Sequence, residues 1–209
     1  MTDPQRPTTP VRMLSEDEAA GIAADVGMRP EMARIHLFRI LLNSPSVGRV
    51  QNELNDRILR QGELTARPEA TALRELAIMR LAWVMGSSYA WAHHFYPTVD
   101  VDLSGRRPDN VLGVREGSGH AGFTQAERLT MQAVDEMVRD ARVSPGTLAG
   151  LRGELASDGE LVELCYVIAM WKAVTEVMAT FDPPLEANYE AWAPDGVRPE
   201  DPLGLATNR

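Results

Sequence analysis

The sequence predicts an all-α fold of about eight helices arranged as one domain. Three observations carry this expectation. Apolar residues recur at helical spacing along most of the chain. Capping boxes mark helix starts at Ser15–Glu18, Thr124–Glu127 and Ser157–Glu160, where a hydroxyl and a carboxylate satisfy free N–H groups reciprocally. No strand-like alternation with hairpin turns occurs anywhere. The 209 residues are 44% hydrophobic, enough to bury a core in one domain or one subunit of an oligomer.

The elements follow in order. Residues 1–13 are rich in Pro and Thr and read as a flexible arm. The domain spans 14–193. After Ser15 a short helix runs to Gly27, and Pro30 opens a second that carries Met32, Ile35, Leu37, Phe38, Leu41 and Leu42. Asn43-Ser44-Pro45 breaks it and starts a third. Pro68 opens a helix whose apolar residues almost encircle it, so it should be central; Gly86 ends it. Ser87 or Ser88 caps the next helix, which reaches about Pro97. From 100 to 122 the period fails: five glycines and several charges read as an irregular surface crossing between two helical halves. Thr124, Ser144 and Ser157 then start three more helices, and Pro183-Pro184 ends the last. Residues 194–209 are tail-like and placed to wrap on a neighbour.

The formal net charge of −9, with no basic cluster, speaks against a nucleic-acid partner. There is no basic amphipathic stretch, no apolar run of membrane length and no signal-peptide pattern. A cytoplasmic protein without nucleic-acid or membrane partners is expected. Cys165 is the only cysteine, so no intramolecular disulfide can form, and its apolar neighbours suggest a buried, inert thiol. Lys172 is the only lysine and thus the only Schiff-base candidate; its apolar helix favours simple snorkelling.

The residues with chemical potential gather around two adjacent histidines. Tyr89 and His93 share a helix face, as do Ala90 and His94. Ser87 lies two turns before His94. Glu75 sits on the preceding helix, which can fold back and bring its carboxylate to the cluster. A carboxylate, an imidazole and a phenol near a helix start make a proton-transfer site. The bland alternative is one buried, hydrogen-bonded His beside one solvated His. Adjacent His side chains point about 100° apart on a helix, which argues against a shared metal ion. No G-x-S-x-G elbow, P-loop or Rossmann glycine pattern is present.

The run RELAIMRLAWVMGSSYAWAHH, residues 74–94, resembles the core motif of the carboxymuconolactone decarboxylase-like superfamily, which includes the AhpD-like peroxidases. FTQAERLTMQAVDEMVRDARVSPGTLAGL and LVELCYVIAMWKAVTEVMATFDPPLE resemble its second half, so the likeness covers roughly residues 30–190. It implies an AhpD-like helical fold and a homo-oligomer: dimer, trimer or hexamer. In the peroxidase branch a Glu precedes a Cys-x-x-Cys pair that a His follows. Glu75 and His94 match that Glu and His, while the cysteine positions fall on Ser87 and Ala90. Disulfide-based peroxide reduction needs both thiols, so alkylhydroperoxidase-type activity is disfavoured.

The decarboxylase branch needs no metal or organic cofactor. Its resemblance implies a lyase or isomerase acting on a small enolisable, carboxylated substrate. Glu75, Tyr89, His93 and His94 are the acid–base candidates. Arg74 and Arg80 are candidate carboxylate clamps, Ser87 a donor to an enolate oxygen, and Trp91 a further substrate-binding residue. Ala90 stands where many relatives without cysteines carry an acidic residue, which removes one proton-transfer group. The alternative is a non-catalytic family member that binds a small molecule or serves assembly.

Overall fold

A computed structural model describes residues 11–100, 111–200 and 202. The first ten residues of the expected arm, residues 101–110 of the crossing, and 201 and 203–209 of the tail lie outside the described residues. Within them the fold is all-α, with no strand. Its helices are α1 (Glu16–Asp25), α2 (His36–Leu41), α3 (Pro45–Arg60), α4 (Pro68–Val84), α5 (Ser88–Asp100), α6 (Gln125–Asp140), α7 (Pro145–Glu154) and α8 (Asp158–Phe181).

Helix α4 is the axis of the molecule. Leu73, Leu76, Ile78, Met79 and Leu81 are buried on different sides of it. It therefore has no polar face, and α5, α6 and α8 all pack against it. Gly86 ends it with φ +69°, a left-handed conformation that favours glycine. The chain turns there, and the Ser87 hydroxyl accepts from Ala90 N at 3.2 Å to start α5. This hairpin brings α5 back along α4.

Four local expectations change. The helix expected from Pro30 is split into a 3₁₀ turn, Pro30–Arg34, and α2, with an extended residue at Ile35. The cause is external. His36 N donates to Glu186 Oε1 at 2.6 Å, and Leu37 N donates to the Tyr89 hydroxyl at 3.1 Å. Those partners replace the helical carbonyls. The third capping box is half made: Ser157 caps Glu160 N, but the Glu160 carboxylate goes to Ala156 N and Arg67. Helix α5 continues through Pro97 to Asp100. The described part of the crossing is packed down, with Val111 and Val114 buried against α4 and α5 residues.

Among the described residues after α8 there is no helix or strand. Residues 183–196 make a strap that crosses α2 and α5 of their own chain. Of the expected tail, Asp195 pairs with Arg115 of its own chain at 2.8 Å. Among the described residues no helix is long and apolar enough to cross a membrane.

Candidate active site

Glu75 is buried in α4 beside Arg74. Arg74 Nε and Nη2 reach Glu75 Oε1 at 2.9 and 2.8 Å. Arg74 Nη1 donates to the carbonyls of Ile58 and Leu59 at the end of α3, at 3.2 and 3.4 Å. The other carboxylate oxygen, Oε2, lies 3.0 Å from His94 Nδ1. Burial alone would raise the Glu75 pKa, but the His94 and Arg74 contacts hold it below the ordinary carboxylate range. His94 has a second partner: Trp171 Nε1, on α8, lies 3.3 Å from His94 Nε2. An indole nitrogen only donates. His94 Nε2 must therefore accept, and the ring proton sits on Nδ1, facing Glu75. Both nitrogens of His94 are taken.

His93 is held differently. Its Nε2 lies 2.8 Å from Glu186 Oε2, and Glu186 comes from the strap. Glu186 Oε1 accepts from the Tyr89 hydroxyl at 2.8 Å and from His36 N. Burial pushes Glu186 up, but hydrogen bonds from His93 and His36 N pull its pKa down to about 2. It is thus a carboxylate at neutral pH, and His93 Nε2 is the donor. The His93 ring lies between Tyr89 and Tyr189, with centroids 4.4 and 4.3 Å away. Its Nδ1 has no hydrogen-bond partner among the described residues. Burial and the charge of Glu186 raise the Tyr89 pKa, so that hydroxyl stays protonated.

Both histidines line one cavity of about 260 Å³. Its apolar wall includes Phe38, Leu59, Trp171 and Met178, and its other polar groups are Arg29, Asn55, Asp56 and Arg60. Arg29 Nη2 and Arg60 Nε both approach Asp56 Oδ1, at 3.0 and 3.3 Å. Arg29 also meets Glu31 at 3.4 Å on the outer side. Tyr89 and Met178 separate this cavity from a larger one of about 540 Å³, under the strap and beside Ser87 and Ser88.

The structure brings together Glu75, Tyr89, His93 and His94, and it turns away the four residues read as substrate contacts. Arg74 is buried and committed to Glu75 and two carbonyls. Arg80 is bidentate to Asp135 at 2.8 and 2.9 Å and donates to the carbonyls of Val114 and Arg115. Gly117 gives that guanidinium room, since a Cβ there would lie 2.9 Å from it. Neither arginine lines the histidine cavity; Arg29 and Arg60 do. Ser87 caps α5 and faces the larger cavity. Trp91 is fully buried, with Nε1 on the Ala193 carbonyl at 2.8 Å. Tyr89 is near the cavity, but its proton goes to Glu186 rather than to a substrate oxygen.

Sequence reasoning missed Glu186, Trp171, Arg29 and Arg60. Glu186 lies in a Pro-ended segment without periodicity, so no local pattern flags it. Cys165 does not line the cavity, and burial raises its thiol pKa, which disfavours the reactive thiolate. Lys172 pairs with Glu176 at 2.6 Å. Among the described residues no three His, Cys, Asp or Glu side chains converge as a metal site would.

No protein-family model matches the chain, and no curated protein matches it. Among solved structures it is similar to an uncharacterized peroxidase-related protein from Silicibacter sp. TM1040. The TM-score is 0.67, over 90% of this chain and 97% of that one. The likeness is one of fold. At 14% identity it carries the all-α architecture and nothing about the reaction.

Proposed function

We propose that the protein is a cofactor-independent acid–base enzyme, a lyase or isomerase acting on a small enolisable molecule. One observation carries this reading: two carboxylate–imidazole pairs meet one largely apolar cavity through their histidines, and one of the four ring nitrogens, His93 Nδ1, is without a partner among the described residues.

That nitrogen is a base with its lone pair available. When it takes a proton from a carbon next to a carbonyl, the imidazolium that forms is stabilised by the Glu186 carboxylate behind it. The proton returns to carbon at the other end of the enolate in an isomerisation. In a decarboxylation the carbon–carbon bond to the carboxylate breaks, its electron pair enters the conjugated carbonyl, and a protonated His93 supplies the proton. Arg29 and Arg60 are the cations on the cavity wall; both pair with Asp56, and a substrate carboxylate would be held by sharing or displacing that pairing. The resemblance to the carboxymuconolactone decarboxylase-like superfamily supports the same reaction class. Peroxidase chemistry gains no support, because Ser87 and Ala90 lack thiols and Cys165 lies elsewhere.

The test is a screen of enolisable lactones and β-keto acids in heavy water, following turnover and deuterium entry by NMR. Native protein should convert or exchange at least one compound. His93→Gln should lower that rate by about a hundred- to ten-thousand-fold. Equal rates for both proteins on every converted compound would overturn the assignment of His93. The homo-oligomer implied by the resemblance is supported by exposed Val47, Val50, Val162 and Tyr166 on α3 and α8. Light scattering should give a mass above the monomer's, and Val50→Asp should reduce it.

A further inference from the structure

The strap that delivers Glu186 is fastened at a place remote from the cavity. Asp195 accepts from both terminal nitrogens of Arg115, at 2.8 and 2.9 Å. The Arg115 guanidinium lies over the rings of Trp83 and Trp91, 5.1 and 5.2 Å from their centroids. Trp192 of the strap packs on the same two indoles, at 5.9 and 5.7 Å. Trp91 Nε1 adds its bond to the Ala193 carbonyl. None of these groups lines the histidine cavity. Arg115 belongs to the crossing between α5 and α6, in its 3₁₀ turn Gly113–Arg115, so the crossing and the strap meet here.

We infer that Arg115, Asp195 and Trp192 form a clasp that positions Glu186 against His93. The inference rests on the reading of His93 as the proton carrier. Its physical basis is the character of the strap. From 183 to 196 the chain has no helix to hold its path, and Ala187, Asn188, Glu190 and Ala191 are exposed. One end is tied covalently to α8. The other end is tied by the clasp. Between them, Pro184 O meets His36 Nδ1, and Glu186 meets His36 N, Tyr89 and His93. Release of the clasp therefore frees the strap to leave, and it takes with it both the carboxylate behind His93 and Tyr189, one of the two rings that hold the imidazole. Arginine suits the clasp better than lysine, because it grips the carboxylate with two parallel bonds while stacking on the indoles.

Arg115, Asp195 and Trp192 are positioning residues, and their test needs a signal that global loosening does not imitate. In native protein the His93 Nε2 proton, held by Glu186, should give a slowly exchanging imidazole N–H signal in the NMR spectrum. Glu186→Gln removes the charged acceptor and should lose or shift that signal. Arg115→Met should reproduce this loss while the His94 Nδ1 proton, held by Glu75, keeps its signal. On any compound converted by native protein, Arg115→Met should lower turnover by about tenfold, and in the Glu186→Gln background it should add less than about twofold. Asp195→Asn breaks the same ion pair while leaving Arg115 on the indoles, and should act alike if Arg115→Met does not fold. The inference is overturned if the His93 signal survives both clasp variants, or if their effects multiply with that of Glu186→Gln. Should no compound be converted, the His93 signal still decides the clasp, so its failure and that of the proposed activity are told apart.

Discussion

His93 and His94 are neighbours in sequence, each is paired with a glutamate, and the two pairs are built in opposite ways. Glu75 comes from the central helix, is balanced by Arg74, and holds a histidine whose other nitrogen meets Trp171. Glu186 comes from the strap and leaves Nδ1 of its histidine without a partner. The first pair has every polar atom hydrogen-bonded, although His94 lines the same cavity as His93. The second leaves one ring nitrogen of a cavity-lining histidine without a hydrogen-bond partner among the described residues. The difference teaches that the type of pair does not assign a role; what counts is which ring atoms the surroundings leave over.

The comparison can be broken most decisively at Glu75. Glu75→Ala leaves Arg74 buried beside no carboxylate and should cost about 3–5 kcal/mol of stability in urea denaturation. Glu186→Gln should cost far less, about 1 kcal/mol, because the amide can keep part of the hydrogen bonding. Equal losses would show that the two pairs are not differently embedded.

A smaller effect is expected on acidification. Glu186 titrates at about 2 in the folded chain, against an ordinary value of 4.5. Asp195 is lowered to about 2 by Arg115, from 3.8. Both folded values lie below the unfolded ones. Their stabilisation is therefore present above pH 4.5 and is lost as pH falls toward 2. The strap should detach within that window, read as a change in the fluorescence of the Trp83–Trp91–Trp192 cluster before the helical circular dichroism is lost. Coincident loss of both signals would mean that the strap is no weaker than the core.

The smallest change sharpens the contrast from the other side. Trp171→Phe keeps the ring packing but removes the donor to His94 Nε2. Stability should fall by about 1 kcal/mol or less. The imidazole NMR signals of His94 should then show that the Nδ1 proton is no longer enforced. An unchanged spectrum would remove the lock from His94 and with it the reason for preferring His93.

Much of the Glu75–His94 half was legible beforehand. The spacing across a helix, a glycine stop and a serine cap places the carboxylate and imidazole in one hairpin, and the hairpin forms with Gly86 and Ser87 in those roles. The arginines were misread for a physical reason. Helix α4 is buried on all sides, so periodicity assigns no polar face, and Arg74 and Arg80 were free to point anywhere. Arg74 turns to Glu75 of its own helix and to the carbonyls that end α3, and Arg80 to Asp135 of α6 and two carbonyls of the crossing. Trp91 and Ser87 were near the motif, but one fills the core and the other ends a helix.

By itself, the sequence determined the all-α architecture, most helix starts and stops, and the missing redox thiols, because caps, periodicity and residue chemistry act within a few residues. Only the tertiary structure decided that Glu186 joins His93 across 93 residues, that Trp171 meets His94 across 77, and that Arg115 holds the strap across 80. Contacts of that range depend on the path of an irregular segment and on the rotation of buried helices, and neither leaves a period in the chain.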